Sequence, residues 1–201
     1  MITVFSDVSE RAVDSAALGA ATSLAEASVV AVLVAGFTYA LAFNRLRTSV
    51  NRVRNAWSDI DAELQRRYAL IPQLVETVRA SAVHERTLIE QLTTARSTGQ
   101  SCAADRSAVA RADATLSGLL SEVFVMAEGV PTLRTSADFL ALQRELVTTE
   151  DRLAAARRYY NFKVRDLNIL VGSAISGFIA RRHQIDTAEY FGDAVPEVAP
   201  V

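Results

Sequence analysis

Few residues of this chain could perform catalysis or bind a metal. His84-Glu85 begins like the zinc motif HExxH, but the fourth residue after His84 is Leu88, so the second histidine ligand is missing. The other histidine, His183, is distant in the sequence, and Cys102 is the only cysteine, which we predict to be a small loop residue. The sequence also contains no phosphate-binding glycine motif and no GxSxG nucleophile motif. We therefore expect no catalytic residue, no metal and no cofactor.

Charged residues cluster between Glu145 and Arg158, in a pattern typical of ion pairs on helix surfaces or between helices. The run Arg157-Arg158-Tyr159-Tyr160-Asn161 combines basic and aromatic side chains, as nucleic-acid or phosphate sites do. Acidic residues surround it, however, and the net charge of the chain is −2, so no overall field attracts a polyanion. We predict that Tyr160 packs inside the protein with arginines at its rim, and we expect no nucleic-acid partner.

A long apolar segment near the N-terminus determines the predicted compartment. Residues 27–44 carry no charge, and the apolar stretch 24–43 is about as long as a helix needs to cross a bilayer. Acidic residues dominate before the uncharged residues 27–44, where Arg11 is the single basic residue, and arginines dominate after them. The acidic residues are Asp7, Glu10, Asp14 and Glu26, and the arginines are Arg45, Arg47, Arg52 and Arg54. Since positive charge marks the cytoplasmic side, we predict residues 1–23 outside, a transmembrane helix at 24–43 and residues 45–201 in the cytoplasm.

Two alternatives to a transmembrane helix exist. A cleaved signal peptide would use Ala40-Leu41-Ala42 as its cleavage site, but such peptides begin with basic residues and have a shorter apolar core. An Ala- and Val-rich run of this kind can also form a buried helix of a soluble protein.

Heptad-like apolar spacing continues through the rest of the chain and predicts an all-α fold. Spacings of three and four give the first seam, which passes through Leu46, Val50, Val53, Trp57, Ile60 and Leu64 and resumes at Tyr68, Ile71, Val75 and Val78. The second seam includes Phe139, Leu142, Leu146, Leu153, Tyr160 and Leu167. We assign Asp59, Asp61, Glu63, Arg66 and Arg67 to the solvated face opposite the first seam. Short connections favour antiparallel neighbours.

Pro72 leaves two architectures open for the bundle, residues 44–171. If the chain turns there, four helices of similar length form an up-and-down bundle: roughly 45–69, 71–97, 105–128 and 137–171. If Pro72 only kinks the helix, there are three helices and the first is very long. We favour the first, with a loop at 97–105 and Ser136 as a helix N-cap.

The last segment, residues 172–201, is predicted to be a tail that associates with the membrane and then becomes disordered. In the four-helix case residues 172–184 lie at the lipid surface, with Ile175, Phe178 and Ile179 towards lipid and Arg181 and Arg182 near anionic headgroups.

Three separated blocks resemble the LemA family. They are NRVRNAWSDIDAELQRRYALIPQLVETV from residue 51, the pair His84-Glu85, and LQRELVTTEDRLAAARRYYN from residue 142, and they follow an apolar N-terminal segment. Two positions depart from the family pattern. Ala69 stands where members often carry Asp, which would remove a cap for a helix beginning near Pro72, and Gly172-Ser173 stand in place of Phe-Pro.

The resemblance implies a bacterial inner-membrane protein with a short external N-terminus, a cytoplasmic helical bundle and no established enzymatic activity. We therefore hypothesise a non-enzymatic scaffold or adaptor that binds other proteins, in addition to membrane lipid, with homo-oligomers also possible. The alternative is a membrane-organising or membrane-shaping protein that acts through its bundle and tail.

Overall fold

The structure is a computed structural model that describes residues 3–81, 85–102 and 105–192, with side chains from Ser28 onwards. The helices are α1 (Thr3–Ser81), α2 (Arg86–Ser101), α3 (Arg106–Glu128), α4 (Pro131–Arg134), α5 (Ala137–Gly172) and α6 (Ala174–Arg182). No strand occurs within these described ranges. The prediction of an all-α chain is confirmed.

The first helix continues through Pro72, so the predicted turn at this residue is wrong. Proline has no N–H, and the carbonyl oxygen of Tyr68 therefore lacks its usual partner four residues later. Arg96 of α2 supplies the missing donor, since its Nε donates to the Tyr68 carbonyl oxygen at 2.8 Å. Because Arg96 replaces the missing hydrogen bond, α1 continues to Ser81. The next helix begins at Arg86.

The ends of the later helices are fixed by local side chains. The Asp105 carboxylate accepts hydrogen bonds from the N–H groups of Ser107 and Ala108, which caps α3. A hydrogen bond from the Ser107 hydroxyl, together with these backbone bonds, lowers the pKa of Asp105. Ser136 caps α5 by accepting from the N–H of Phe139, as predicted.

One predicted boundary changes in the structure and another is confirmed. Helix α2 continues to Ser101, so most of the predicted loop 97–105 is helical, and Cys102 lies in the turn that follows. Helix α5 ends within one residue of the predicted boundary at 171. His84 lies outside the described residues.

The core lies where α1 meets α5, with α2 and α3 beside them. Trp57 of α1 packs edge-on against Tyr160 of α5, and ten residues later Arg67 contacts Glu150. Residues later in α1 therefore contact residues earlier in α5. Aliphatic residues from all four helices, including Ile60, Leu92, Leu116 and Leu153, fill the interior.

Candidate functional site

The most unusual group of side chains is a buried ion-pair network between α1, α3 and α5. Arg67 Nη1 donates to Asp113 Oδ1 at 2.6 Å, and Arg67 Nη2 donates to the Ser117 hydroxyl at 2.9 Å. Arg157 Nη2 donates to the other Asp113 oxygen at 3.0 Å. Glu150 Oε2 lies 2.9 Å from Arg67 Nη2, outside hydrogen-bonding geometry, and so contributes a charge contact.

Burial governs the electrostatics of this network. The side chains of Arg67 and Asp113 are 3% and 2% exposed. Burial raises the pKa of Asp113, and the guanidinium groups of Arg67 and Arg157 oppose that rise. Two positive and two negative charges balance within the network. Since pairs of this kind are costly to desolvate, their best-attested role is to fix which helices pack together and in what register.

Asp113 is held as a hydrogen-bond acceptor between two arginines, because each of its carboxylate oxygens accepts from one guanidinium group. A cleft of about 610 Å³ reaches the network from solvent beside Tyr190 and Phe191. Within the described part of the chain, no group of three His, Cys, Asp or Glu side chains is placed to hold a metal ion.

The polypeptide after α6 forms a second notable feature, which we call the strap (residues 185–192). Asn168 binds the main chain of Ala188 twice: its Oδ1 accepts from the N–H at 2.9 Å, and its Nδ2 donates to the carbonyl oxygen at 3.0 Å. Asn161 binds the main chain of Phe191 in the same way, at 2.9 and 3.2 Å. The strap is therefore fastened to α5 by side chains that recognise its backbone.

Phe191 anchors the strap in a pocket of aromatic and basic side chains. The side chain is 2% exposed, and its ring centroid lies 5.5 Å from that of Trp57 and 5.5 Å from the Arg157 guanidinium carbon. Arg106 stacks over Trp57 and donates to the Tyr160 hydroxyl, which in turn donates to the Glu189 carbonyl oxygen at 2.9 Å. Burial raises the pKa of Tyr160, and Arg106 opposes that rise. We call the surface that holds the strap, formed by Trp57, Arg157, Tyr160, Asn161 and Asn168, the strap groove.

The third feature is the junction between α6 and α1. Ile179 and Ala180 of α6 pack on Leu46 of α1, and the three form a small separate core. His183 extends this junction, since its Nε2 lies 2.7 Å from the Tyr39 hydroxyl and its ring centroid lies 4.4 Å from that of Phe43. Helix α6 is therefore seated where the apolar segment of α1 ends.

The outer side of α6 carries the predicted membrane-surface residues, with one correction. Ile175 and Phe178 are 73% and 64% exposed, and Arg181 and Arg182 are exposed as well. Ile179 is 2% exposed because it faces Leu46, so it does not belong to the outer surface. The predicted tail 172–201 is bound to the bundle as far as Gly192, including the residues after 184, and residues 193–201 lie outside the described residues.

The other predicted residues lie mostly in the core. Ile60, Leu64, Tyr68, Leu142, Leu146, Leu153 and Tyr160 are all buried. Trp57 is half-buried because the strap covers only part of it, and Pro72 is exposed on the outer side of α1.

The sequence predicted Trp57 and Tyr160 as packed residues, but it did not predict the burial of Arg67 or the roles of Asp113, Asn161 and Asn168. Arg67 was assigned to the solvated face, yet it is buried between helices. A signal for the network exists in the sequence, since Asp113 stands within the apolar repeat of Val109, Leu116 and Leu120. No local pattern marks Asn161 and Asn168, because their partners lie 20 to 30 residues further along the chain.

Comparison with protein families identifies the chain, since residues 56–200 match the LemA family. The chain belongs to the LemA family. The matched range begins just before Trp57 and contains the network, the strap groove and α6. No curated protein matches the sequence.

The apolar segment of α1 lies outside the range that matches the LemA family. Residues 28–41 lie before the matched range, are exposed throughout, and include Val32 and Leu33 at 70% and 67% exposure. Among the described residues, one helix is apolar and long enough to cross a membrane, and it is this part of α1.

Proposed function

We propose that the protein is a single-pass membrane protein whose cytoplasmic helical bundle acts as a non-enzymatic scaffold or adaptor for other proteins. The observation that carries the proposal is the continuity of α1. One unbroken helix contains both the exposed apolar segment and the buried seam of the bundle. A bundle attached in this way is held at a fixed height and orientation relative to the membrane.

The proposed bundle is an antiparallel, up-and-down arrangement of α1 after residue 44, α2, α3 and α5. The sequence of contacts between α1 and α5 supports this arrangement, since Trp57 pairs with Tyr160 and the later Arg67 pairs with the earlier Glu150. The ion pair of Arg67 with Asp113 joins α1 to α3. The proposed orientation keeps the N-terminus outside. Arg45, Arg47, Arg52 and Arg54 support this orientation, because all four are exposed directly after the apolar segment, where cytoplasmic loops carry positive charge.

The outer face of α5 is the proposed surface for protein partners. Val147, Phe162 and Ile169 are 50%, 48% and 59% exposed on the side of α5 opposite its buried seam. They are spaced about 22 and 10 Å apart along the helix, and a protein that packs along α5 would remove all three from water.

Photo-cross-linking in native membranes tests this proposal. A photoreactive residue at Phe162 should capture one reproducible protein partner, whereas the same residue at Thr115, on the exposed side of α3, should not. The scaffold proposal is refuted if Phe162, Val147 and Ile169 each yield only lipid adducts.

A second candidate function, membrane organisation, is favoured by α6. Its exposed Ile175 and Phe178 lie beside the end of the apolar segment, where an amphipathic helix can enter the headgroup region. An environment-sensitive dye on Phe178→Cys, in a Cys102→Ser background, should be quenched by nitroxide-labelled lipids in anionic vesicles.

Val125 provides a matched control for that measurement. It is 69% exposed and apolar, but it lies near the end of α3 that is remote from α6. Equal quenching at Phe178→Cys and Val125→Cys would rule out a specific lipid contact by α6.

A further inference from the structure

Exposed arginines from two helices border the contact between α6 and α1. Helix α6 packs on Leu46 through Ile179 and Ala180. Since neighbours on a helix point about 100° apart, the residues before and after Leu46 leave α1 on either side of this contact, and the two residues after Ala180 leave α6 beside it. All four of these flanking residues are arginines, and all are exposed. We call them the arginine collar: Arg45, Arg47, Arg181 and Arg182.

The arginine collar lies level with the end of the apolar segment. His183 directly follows the collar on α6, and its Nε2 lies 2.7 Å from the hydroxyl of Tyr39 in that segment. Its ring centroid lies 4.4 Å from that of Phe43. Arg45 comes two residues after Phe43, which is about 3 Å along the helix axis. With the apolar segment in a bilayer, as proposed above, this level lies among the lipid headgroups.

The collar carries positive charge that the chain does not neutralise. Within the described ranges, no carboxylate forms an ion pair with any of the four arginines, in contrast to Arg67, which pairs with Asp113 at 2.6 Å. Asp186, the acidic residue nearest to the collar in the sequence, is exposed and borders the cavity beside Arg54. Four unpaired positive charges at one level favour an anion from outside the chain.

A surface of anionic phospholipids fits this arrangement better than one dissolved anion does. Arg45 and Arg47 point about 200° apart around α1, so separate headgroups around the helix contact them more readily than one small ligand. Guanidinium groups bind phosphate oxygens through paired N–H donors. Ile175 and Phe178 of α6 are also 73% and 64% exposed beside the collar, and apolar side chains next to arginines suit the boundary between headgroups and acyl chains.

On the basis of the proposed membrane function, we propose that the arginine collar binds the phosphates of anionic phospholipids and concentrates these lipids around the junction of α6 and α1. Phosphatidylcholine is attracted less strongly, because its headgroup carries an ammonium beside the phosphate and has no net charge. The collar thus gives the lipid contact of α6 a selectivity for headgroup charge, which the exposed apolar side chains of α6 cannot provide.

The test uses the full-length chain, with Cys102 replaced by serine, in phosphatidylcholine vesicles at low salt. A fluorescent dye is attached at Asn44→Cys, an exposed position between Phe43 and Arg45. The vesicles contain the same small fraction of a nitroxide-labelled lipid, either phosphatidylglycerol or phosphatidylcholine. The ratio of the two quenching efficiencies measures the local enrichment of the anionic lipid, which we expect to be about fivefold.

Two charge-matched variants separate the collar from the net charge of the chain. Arg181→Gln with Arg182→Gln removes two charges from the collar, and the enrichment should fall by about twofold or more. Arg134→Gln with Arg144→Gln removes the same charge from exposed positions that lie roughly 40 Å or more from the end of α5 beside α6, and the enrichment should not change. The arginines of α1 stay in place because they support the proposed orientation.

The outcomes distinguish the collar from the membrane function on which it rests. Enrichment that falls only in the collar variant supports the proposal. Enrichment that survives in the collar variant, or falls equally in both variants, overturns it. Equal quenching by the two lipids also overturns the collar but leaves the membrane position of the apolar segment intact, whereas no quenching by either lipid overturns both. Circular-dichroism melts verify that each variant is folded.

Discussion

Replacing Arg96 by methionine removes the donor that compensates for Pro72. The Arg96 side chain joins α2 to the carbonyl oxygen of Tyr68, which Pro72 cannot bind because it has no N–H. Methionine keeps an apolar stem of similar length but leaves this carbonyl without its partner. Tyr68 is 2% exposed, so water has little access to compensate.

The magnitude follows from the type of bond. A charged donor to a poorly hydrated carbonyl contributes roughly 1.5–3 kcal/mol, and because Arg96 is half-buried we expect Arg96→Met to cost about 1–2 kcal/mol. In a Pro72→Ala background the N–H of residue 72 can donate to Tyr68, and the same change should cost less than about 0.5 kcal/mol. The expected coupling between the two positions is therefore about 1 kcal/mol.

Urea unfolding in mild detergent, followed by Trp57 fluorescence, measures this coupling. Trp57 is the only tryptophan and lies between α1, α5 and the strap, so its emission reports on the bundle and not on the apolar segment. Stability changes that simply add in the double variant, to within about 0.5 kcal/mol, would contradict the argument.

Four further predictions use the same measurement. Gly99→Ala should destabilise the protein, because a Cβ at Gly99 would collide with the Tyr68 phenol, whereas Tyr68→Phe should be neutral or stabilising because the buried hydroxyl has no hydrogen-bond partner. Burial raises the pKa of Tyr68 to about 12, so the unfolded state releases this proton first and stability should fall as the pH rises from about 10 to 12. Asp113→Asn should cost about 3–5 kcal/mol, because it leaves Arg67 buried without its main counter-charge.

The predictions for the pH dependence and for Asp113→Asn each have a control. Tyr68→Phe should reduce the alkaline loss of stability but not abolish it, since burial also raises the pKa of Tyr160, and an unchanged pH profile would contradict the assignment to Tyr68. Glu76→Gln breaks an ion pair whose partners are both more than half exposed, and it should cost less than about 1 kcal/mol. Equal effects of Glu76→Gln and Asp113→Asn would show that burial does not govern the network.

Much of the fold could be predicted from the sequence because helix seams are local patterns. The spacing of Phe139, Leu146 and Leu153 indicates α5 without knowledge of any partner, and the same holds for Ile60 and Leu64 in α1. The apolar character of residues 24–43 and the basic flank after them are also properties of the sequence alone. The three blocks that resemble the LemA family are likewise recognisable from the sequence without a structure.

The candidate site was much less predictable. Arg67 is only one residue from Tyr68 along α1, and small rotations about the helix axis determine whether such a residue faces solvent or a neighbouring helix. Asp113 identifies a polar position within an apolar repeat, but the identity of its partners depends on how α1 and α5 pack against α3.

The sequence by itself thus determined the all-α class, the apolar segment, the two long seams and the family, because each depends on residues that are neighbours along the chain. Only the tertiary structure decided that α1 passes through Pro72, that Arg67 is buried, and that the strap binds Asn161 and Asn168. In each of these cases the stabilising partner lies 20 or more residues away, so its contribution exists only after the helices have packed.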